Sequence, residues 1–144
     1  MSAHTGPVLT VRWAHHGRYL ASGSDDAVLL VWDLDPSGGG RVFGSEEVNV
    51  ENWKALRRLV GHVADVVDCA WSRDDSMLAS VGLDSKIIIW DGFTFGTWSP
   101  WMLANSTERI KTIDTHQGFV KGVTWDPVGN YLATQVGPLI LAYY

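Results

Sequence analysis

Residues 61–91 read GHVADVVDCAWSRDDSMLASVGLDSKIIIWD, and they decide the fold because the pattern recurs. Residues 62–91 laid without a gap over residues 4–33, an offset of 58, match at nine of thirty positions: His4/His62, Val8/Val66, Trp13/Trp71, Leu20/Leu78, Ala21/Ala79, Ser22/Ser80, Asp26/Asp84, Trp32/Trp90 and Asp33/Asp91. Composition alone gives roughly two. A third copy follows at offset 54, with His116, Val120, Trp125, Leu132 and Ala133 in place and Thr134 standing where Ser80 stands. A fixed period of this kind signals stacked units, each too thin to bury its apolar surface alone.

Every copy reads as short strands. Val8–Trp13, Val66–Trp71 and Val120–Trp125 each run from Val to Trp and end at a turn rich in Gly, Asp or Pro. Tyr19–Ser22, Met77–Ser80 and Tyr131–Thr134 follow. In the first two copies an Asp-containing turn leads to a third strand, Val28–Trp32 or Ile87–Trp90, apolar on consecutive residues as a strand covered on both faces requires. Residues 46–58 leave room for a short helix at most, and no stretch carries a convincing 3.6-residue apolar period.

His, then Ser, then Asp, then Trp-Asp at these spacings resembles the WD repeat of β-propellers. The resemblance implies an all-β fold of antiparallel four-stranded blades, here an incomplete ring. It also implies a hydrogen-bonded chain inside each blade, from indole to hydroxyl to imidazole to carboxylate. Carried over by position, the two chains are Trp32–Ser22–His4–Asp26 and Trp90–Ser80–His62–Asp84, with a partial third of His116 and Thr134. The set belongs together because a buried indole N–H or imidazole without a partner costs about 1–3 kcal/mol.

A narrower resemblance is to the HIRA/Hir family of histone chaperone subunits. It rests on residues 119–135 (FVKGVTWDPVGNYLATQ) and on an excursion between the third and fourth strands of the first copy, Val42, Phe43, Gly44 and Ser45, then Asn49, Val50 and Trp53. Arg12-Trp13 with Tyr19–Asp26, and Ser72–Trp90, are similar to the neighbouring blades in order. On this reading residues 4–60 form a first blade with a long insertion at 34–54, residues 61–114 a second blade with a foreign insertion at 96–107, and residues 115–135 a partial third. The pattern then stops: the next Asp is due at Pro138 and the next Trp at Tyr144, so 136–144 is expected to be a tail foreign to the family. Translated intron would account for both foreign stretches, and a plain loop equally for 96–107. The chain would start one blade late in a propeller of about seven.

Composition narrows the function classes. The chain has 144 residues, net charge −5, eight Trp and one Cys. A single Cys excludes a disulfide framework and a Cys-rich zinc module. No apolar run approaches the roughly 18 residues of a membrane span, and the first residues lack the features of a signal peptide. A mildly acidic chain lacks the basic stripe of a sequence-specific nucleic-acid binder. Asp25-Asp26 and Asp74-Asp75 are adjacent pairs, which point to opposite faces of a strand rather than converging. His15-His16 lacks a third ligand at suitable spacing and reads as a pair of solvated turn histidines, and Cys69 reads as a packed thiol. Gly38-Gly39-Gly40 has no following Lys-Ser or Lys-Thr to cradle a phosphate.

The expectation is therefore a non-catalytic scaffold with no cofactor. The HIRA/Hir resemblance implies a nuclear complex that assembles chromatin independently of replication and represses transcription, including that of histone genes. Its implied partners are other complex subunits of the ubinuclein kind and, indirectly, histones. The Val42–Ser45 and Asn49–Trp53 segments are the candidate partner-binding loop. An adaptor of another pathway such as ubiquitin ligation, or a non-functional truncated product, is the alternative. An open array of two and a half blades would also leave two end faces of about 350 Å² each. Together they exceed the roughly 300–600 Å² of the largest apolar patch on a typical monomer, so self-association or unfolding of the isolated chain is expected.

Overall fold

A computed structural model describes residues 3–34, 52–96, 109–114 and 118–143. Eleven strands and one 3-10 turn (Gly92–Gly96) make up the described residues. The first sheet holds β1 (Val8–Trp13), β2 (Tyr19–Ser24), β3 (Val28–Leu34) and β4 (Trp53–Val60), paired antiparallel in chain order. The second repeats it with β5 (Val66–Trp71), β6 (Met77–Gly82), β7 (Ile87–Asp91) and β8 (Arg109–Ile113). A three-stranded sheet follows, of β9 (Val120–Trp125), β10 (Leu132–Val136) and β11 (Leu139–Tyr143).

The turn after the first strand is built the same way in all three sheets. Gly17, Asp75 and Gly129 donate their N–H groups to Ala14, Ser72 and Asp126 at 2.9, 2.9 and 3.0 Å, and adopt φ values of 74°, 57° and 88°. Glycine suits that left-handed position; Asp75 occupies it at a steric cost of about 1–2 kcal/mol.

The sheets stack face to face. Ala21, Leu29 and Val31 of the first meet Val66, Cys69, Leu78 and Trp90 of the second, all buried. Ala79, Val81 and Ile87 of the second meet Val120, Val123 and Leu132 of the third. The first strands adjoin one another along one edge of the stack, and each closing Trp reaches back to its predecessor. The Trp71 indole N–H donates to the Arg12 carbonyl at 3.2 Å, and that of Trp125 to the Ala70 carbonyl at 3.1 Å. Gly23 allows the close approach, since a Cβ there would lie 2.7 Å from Val66 Cγ1.

Two expectations change. Residues 53–60 form β4 rather than part of a helix, because pairing to β3 over Val28–Leu34 satisfies their backbone in a sheet. The third sheet also continues past Gln135. Gly137, with φ 57°, and Pro138 form a two-residue hairpin that places Leu139 opposite Val136. This turn is one residue shorter than in the other sheets, so Leu132 pairs with Tyr143 where Leu20 pairs with Trp32 and Leu78 with Trp90. The register position expected for Tyr144 thus falls to Tyr143. Most of the insertions at 34–54 and 96–107 lies outside the described residues.

Candidate functional site

The polar residues singled out in the sequence meet inside the sheets. In the first, the Trp32 indole N–H donates to Ser22 Oγ at 2.8 Å, Ser22 Oγ lies 2.8 Å from His4 Nε2, and His4 Nδ1 lies 3.1 Å from Asp26. In the second, the corresponding distances are 2.9 Å from Trp90 to Ser80, 2.9 Å from Ser80 to His62 and 3.0 Å from His62 to Asp84. A neutral imidazole with its proton on Nδ1 lets every donor in the chain find an acceptor. Burial pushes His62 below the ordinary histidine value, against the pull of the Asp84 carboxylate. Asp26 is desolvated, which would raise it, but the Thr5 N–H, His4 and the Val28 N–H hold it below the usual carboxylate range. Both carboxylates also fasten turns: Asp26 accepts from Val28 N–H at 3.0 Å and Asp84 from Lys86 N–H at 3.1 Å. In the third sheet Thr134 is buried, whereas His116 lies outside the described residues.

Two carboxylates that the sequence reading did not single out as junction residues bind the sheets together. Asp68 Oδ1 accepts from Thr10 Oγ1 at 3.1 Å and from Arg12 Nη2 at 2.7 Å, both in the first sheet. Its Oδ2 accepts from the Val123 N–H of the third at 3.1 Å, so one side chain ties three sheets. The available signal was a charge inside an otherwise apolar or small run, Val66–Trp71. Asp75 reaches from its turn to the preceding one, accepting from the backbone N–H groups of His15 and His16, each at 2.8 Å, with His15 Nδ1 at 2.9 Å. These bonds hold Asp75 below the ordinary value although burial works the other way. The His15 side chain is 58% exposed, yet it belongs to a junction between sheets rather than to a merely solvated turn.

The remaining chemical candidates are engaged separately. Asp74 accepts from Ser76 Oγ at 2.7 Å and Ser72 Oγ at 2.8 Å, which lower it to about 2, and it does not act with Asp75. Cys69 is fully buried, and desolvation pushes its thiol up to about 12, far from the range of a nucleophile. Among the described residues no group of three or more His, Cys, Asp or Glu is placed to hold a metal.

A concave apolar cleft of about 370 Å³ lies on the outward face of the first sheet, lined by Val8, Val11, Leu20, Trp32 and Trp53 among others. Trp53, the last residue of the candidate loop, packs edge-on against Trp13 with ring centroids 5.3 Å apart. Val42, Phe43, Gly44, Ser45, Asn49 and Val50 lie outside the described residues.

Comparison with known proteins places this geometry. A family model described as the CAF1B/HIR1 beta-propeller domain matches residues 1–141. Protein HIR1 of Cryptococcus neoformans is 70% identical over 94% of this chain and 14% of its own length. Protein HIR1 of Mycosarcoma maydis is 59% identical over 93% of this chain and 12% of its own length. Protein hir1 of Schizosaccharomyces pombe is 48% identical over 94% and 13%. The chain thus spans 12–14% of the length of these curated relatives. Among solved structures, a chain of the crystal structure of the mitotic checkpoint complex aligns with a TM-score of 0.68, over 94% of this chain and 34% of that one. At 21% identity that likeness is one of fold.

Proposed function

The chain belongs to the CAF1B/HIR1 β-propeller family, and from that premise we propose that it is a non-catalytic part of the scaffold of a HIR-type histone chaperone complex. The scaffold acts in the nucleus, in replication-independent chromatin assembly and in repression of transcription, histone genes included. The observation that carries the reading is the 70% identity to a HIR1 protein over 94% of the chain. The use of the polar side chains supports it: Ser22, His4, Asp26 and their counterparts fasten the first two sheets, while Asp68 and Asp75 fasten neighbours. Such bonding makes a rigid platform, and binding residues gather on the loops of rigid platforms.

The residues from Val42 to Trp53 are the proposed partner-binding loop, since long loops in compact domains tend to be functional. The test is affinity capture of the full-length protein from nuclear extract, with and without residues Gly44–Asn52. The proposal expects a ubinuclein-like subunit and histones with the intact protein, and weakened recovery from a deletion variant that still folds. Undiminished recovery removes the loop from the reading. Capture of ubiquitin-ligase subunits in place of histones replaces the scaffold assignment with the adaptor one.

A further inference from the structure

The fourth strands of the first two sheets, β4 and β8, carry charge of one sign. Lys54, Arg57 and Arg58 lie on β4 and Arg109 and Lys111 on β8, five of the chain's 11 Lys and Arg residues, while all 16 Asp and Glu lie elsewhere. Arg57 pairs with Val31 and Arg58 with Leu30. Successive residues of a strand point to opposite faces, so cations flank the β4 edge on both sides. Arg57 is steadied by bonds from its guanidinium to the carbonyls of Leu56 and Thr94, at 2.9 and 3.2 Å. Charge of either sign on an edge strand discourages unwanted pairing. A uniform sign goes further, because it selects an anionic strand.

Among the described residues β4 pairs with β3 alone and β8 with β7 alone, so each presents backbone N–H and C=O groups along its other edge. These edges do not depend on how many sheets the stack holds, because the sheets join through their faces. The formed junction between the first and second sheets shows it. Ile88 is buried there, yet Thr112, which pairs with it on β8, is exposed. Arg58 holds the same position on β4, opposite Leu30, and is exposed too. Strand β4 runs for eight residues, about 26 Å of edge, and past a bulge at Leu56 residues 57–60 keep continuous register with Val28–Val31.

We propose that the β4 edge binds an extended acidic segment of a protein partner. The segment adds a fifth strand to the first sheet and sets consecutive carboxylates against Arg57 on one face and Arg58 on the other. Strand addition supplies main-chain hydrogen bonds, and guanidinium groups hold carboxylates through paired N–H donors. Runs of acidic residues do not fold alone, so such a segment arrives with its own backbone unpaired. A nucleic-acid duplex offers phosphates to the same cations but no strand to complete the edge.

Fluorescence anisotropy with the full-length protein tests the proposal. The probes are labelled decaglutamate, the same peptide N-methylated at every residue, and a short DNA duplex. Decaglutamate is expected to bind, and Arg58→Glu to weaken it about tenfold. Arg58→Gln is expected to weaken it less, and it keeps the readout if the reversed charge unfolds the sheet. Lys121→Glu changes the net charge equally, at an exposed position on β9, and is expected to leave binding unchanged. The N-methylated peptide keeps the carboxylates but has no N–H to donate, and is expected to bind about tenfold more weakly than decaglutamate. Decaglutamate that does not bind, binds no better than its N-methylated form, or is weakened as much by Lys121→Glu overturns the proposal. A duplex that binds more tightly than decaglutamate and is lost in Arg58→Glu also overturns it, and assigns the cations to nucleic acid.

Discussion

His62 shows how one side chain joins stability to pH. Its imidazole sits between Ser80 and Asp84 with the side chain almost fully buried. His62→Ala strands both partners and should destabilise the fold by about 1–3 kcal/mol in a denaturant titration. Lys121→Ala, exposed on β9, is the control and should stay within about 0.5 kcal/mol. Burial lowers the folded-state value of His62 below 6.5, so the unfolded chain takes up a proton that the folded chain refuses. Its contribution is complete above about pH 6.5 and is lost as the pH falls towards the lower folded value. Asp26 and Asp75, held below 3.8, add a second loss when the pH falls through their folded values. The melting temperature should accordingly decline in two stages on acidification, and in His62→Ala the upper stage should shrink. An unchanged upper stage in that variant would reject the assignment to His62.

At the scale of elements, the junctions between sheets depend on a few polar groups set among apolar ones. Asp75 tolerates φ 57° because its carboxylate collects two backbone N–H groups from the neighbouring turn. Asp75→Ala and Asp75→Gly lose the same bonds, but only glycine relaxes the backbone. The alanine variant should therefore be the less stable by about 1 kcal/mol, a difference that thermal melting resolves. Equal stabilities would show that the turn is unstrained. Asp68→Ala removes a tie shared by three sheets, with Arg12 the charged partner. A loss of about 2–3 kcal/mol is expected for a charge-assisted bond with further donors. Arg12→Ala should be milder, because the guanidinium is half exposed and solvent replaces much of what it gives.

At the scale of the whole molecule, the described sheets hold together by close stacking of their faces, and Gly23 sets the distance between the first two. A Cβ there would lie 2.7 Å from Val66 Cγ1 and 2.8 Å from Thr10 Cγ2, so Gly23→Ala overpacks the junction and should destabilise the fold by about 1–3 kcal/mol. Thermal melting checks it, and an unchanged melting temperature would show that the two sheets have room to separate.

The sequence by itself determined the repeat and the strand runs from Val to Trp, because these depend on local periodicity and on residue types recurring at fixed spacing; the residues of both indole-to-carboxylate chains followed from the resemblance of that repeat to the WD repeat. Strand β4 was obscured: its charged Arg57-Arg58 stretch lacks an alternating pattern, and pairing with β3 rather than propensity makes it a strand. The register of β11 was obscured as well, since a hairpin one residue shorter shifts every later position by one, and only backbone pairing to β10 reveals it. The roles of Asp68 and Asp75 belong wholly to tertiary structure. Their partners lie some 55 to 60 residues away along the chain, and only the stacking of one sheet on the next brings a carboxylate to the backbone and side chains of its neighbours.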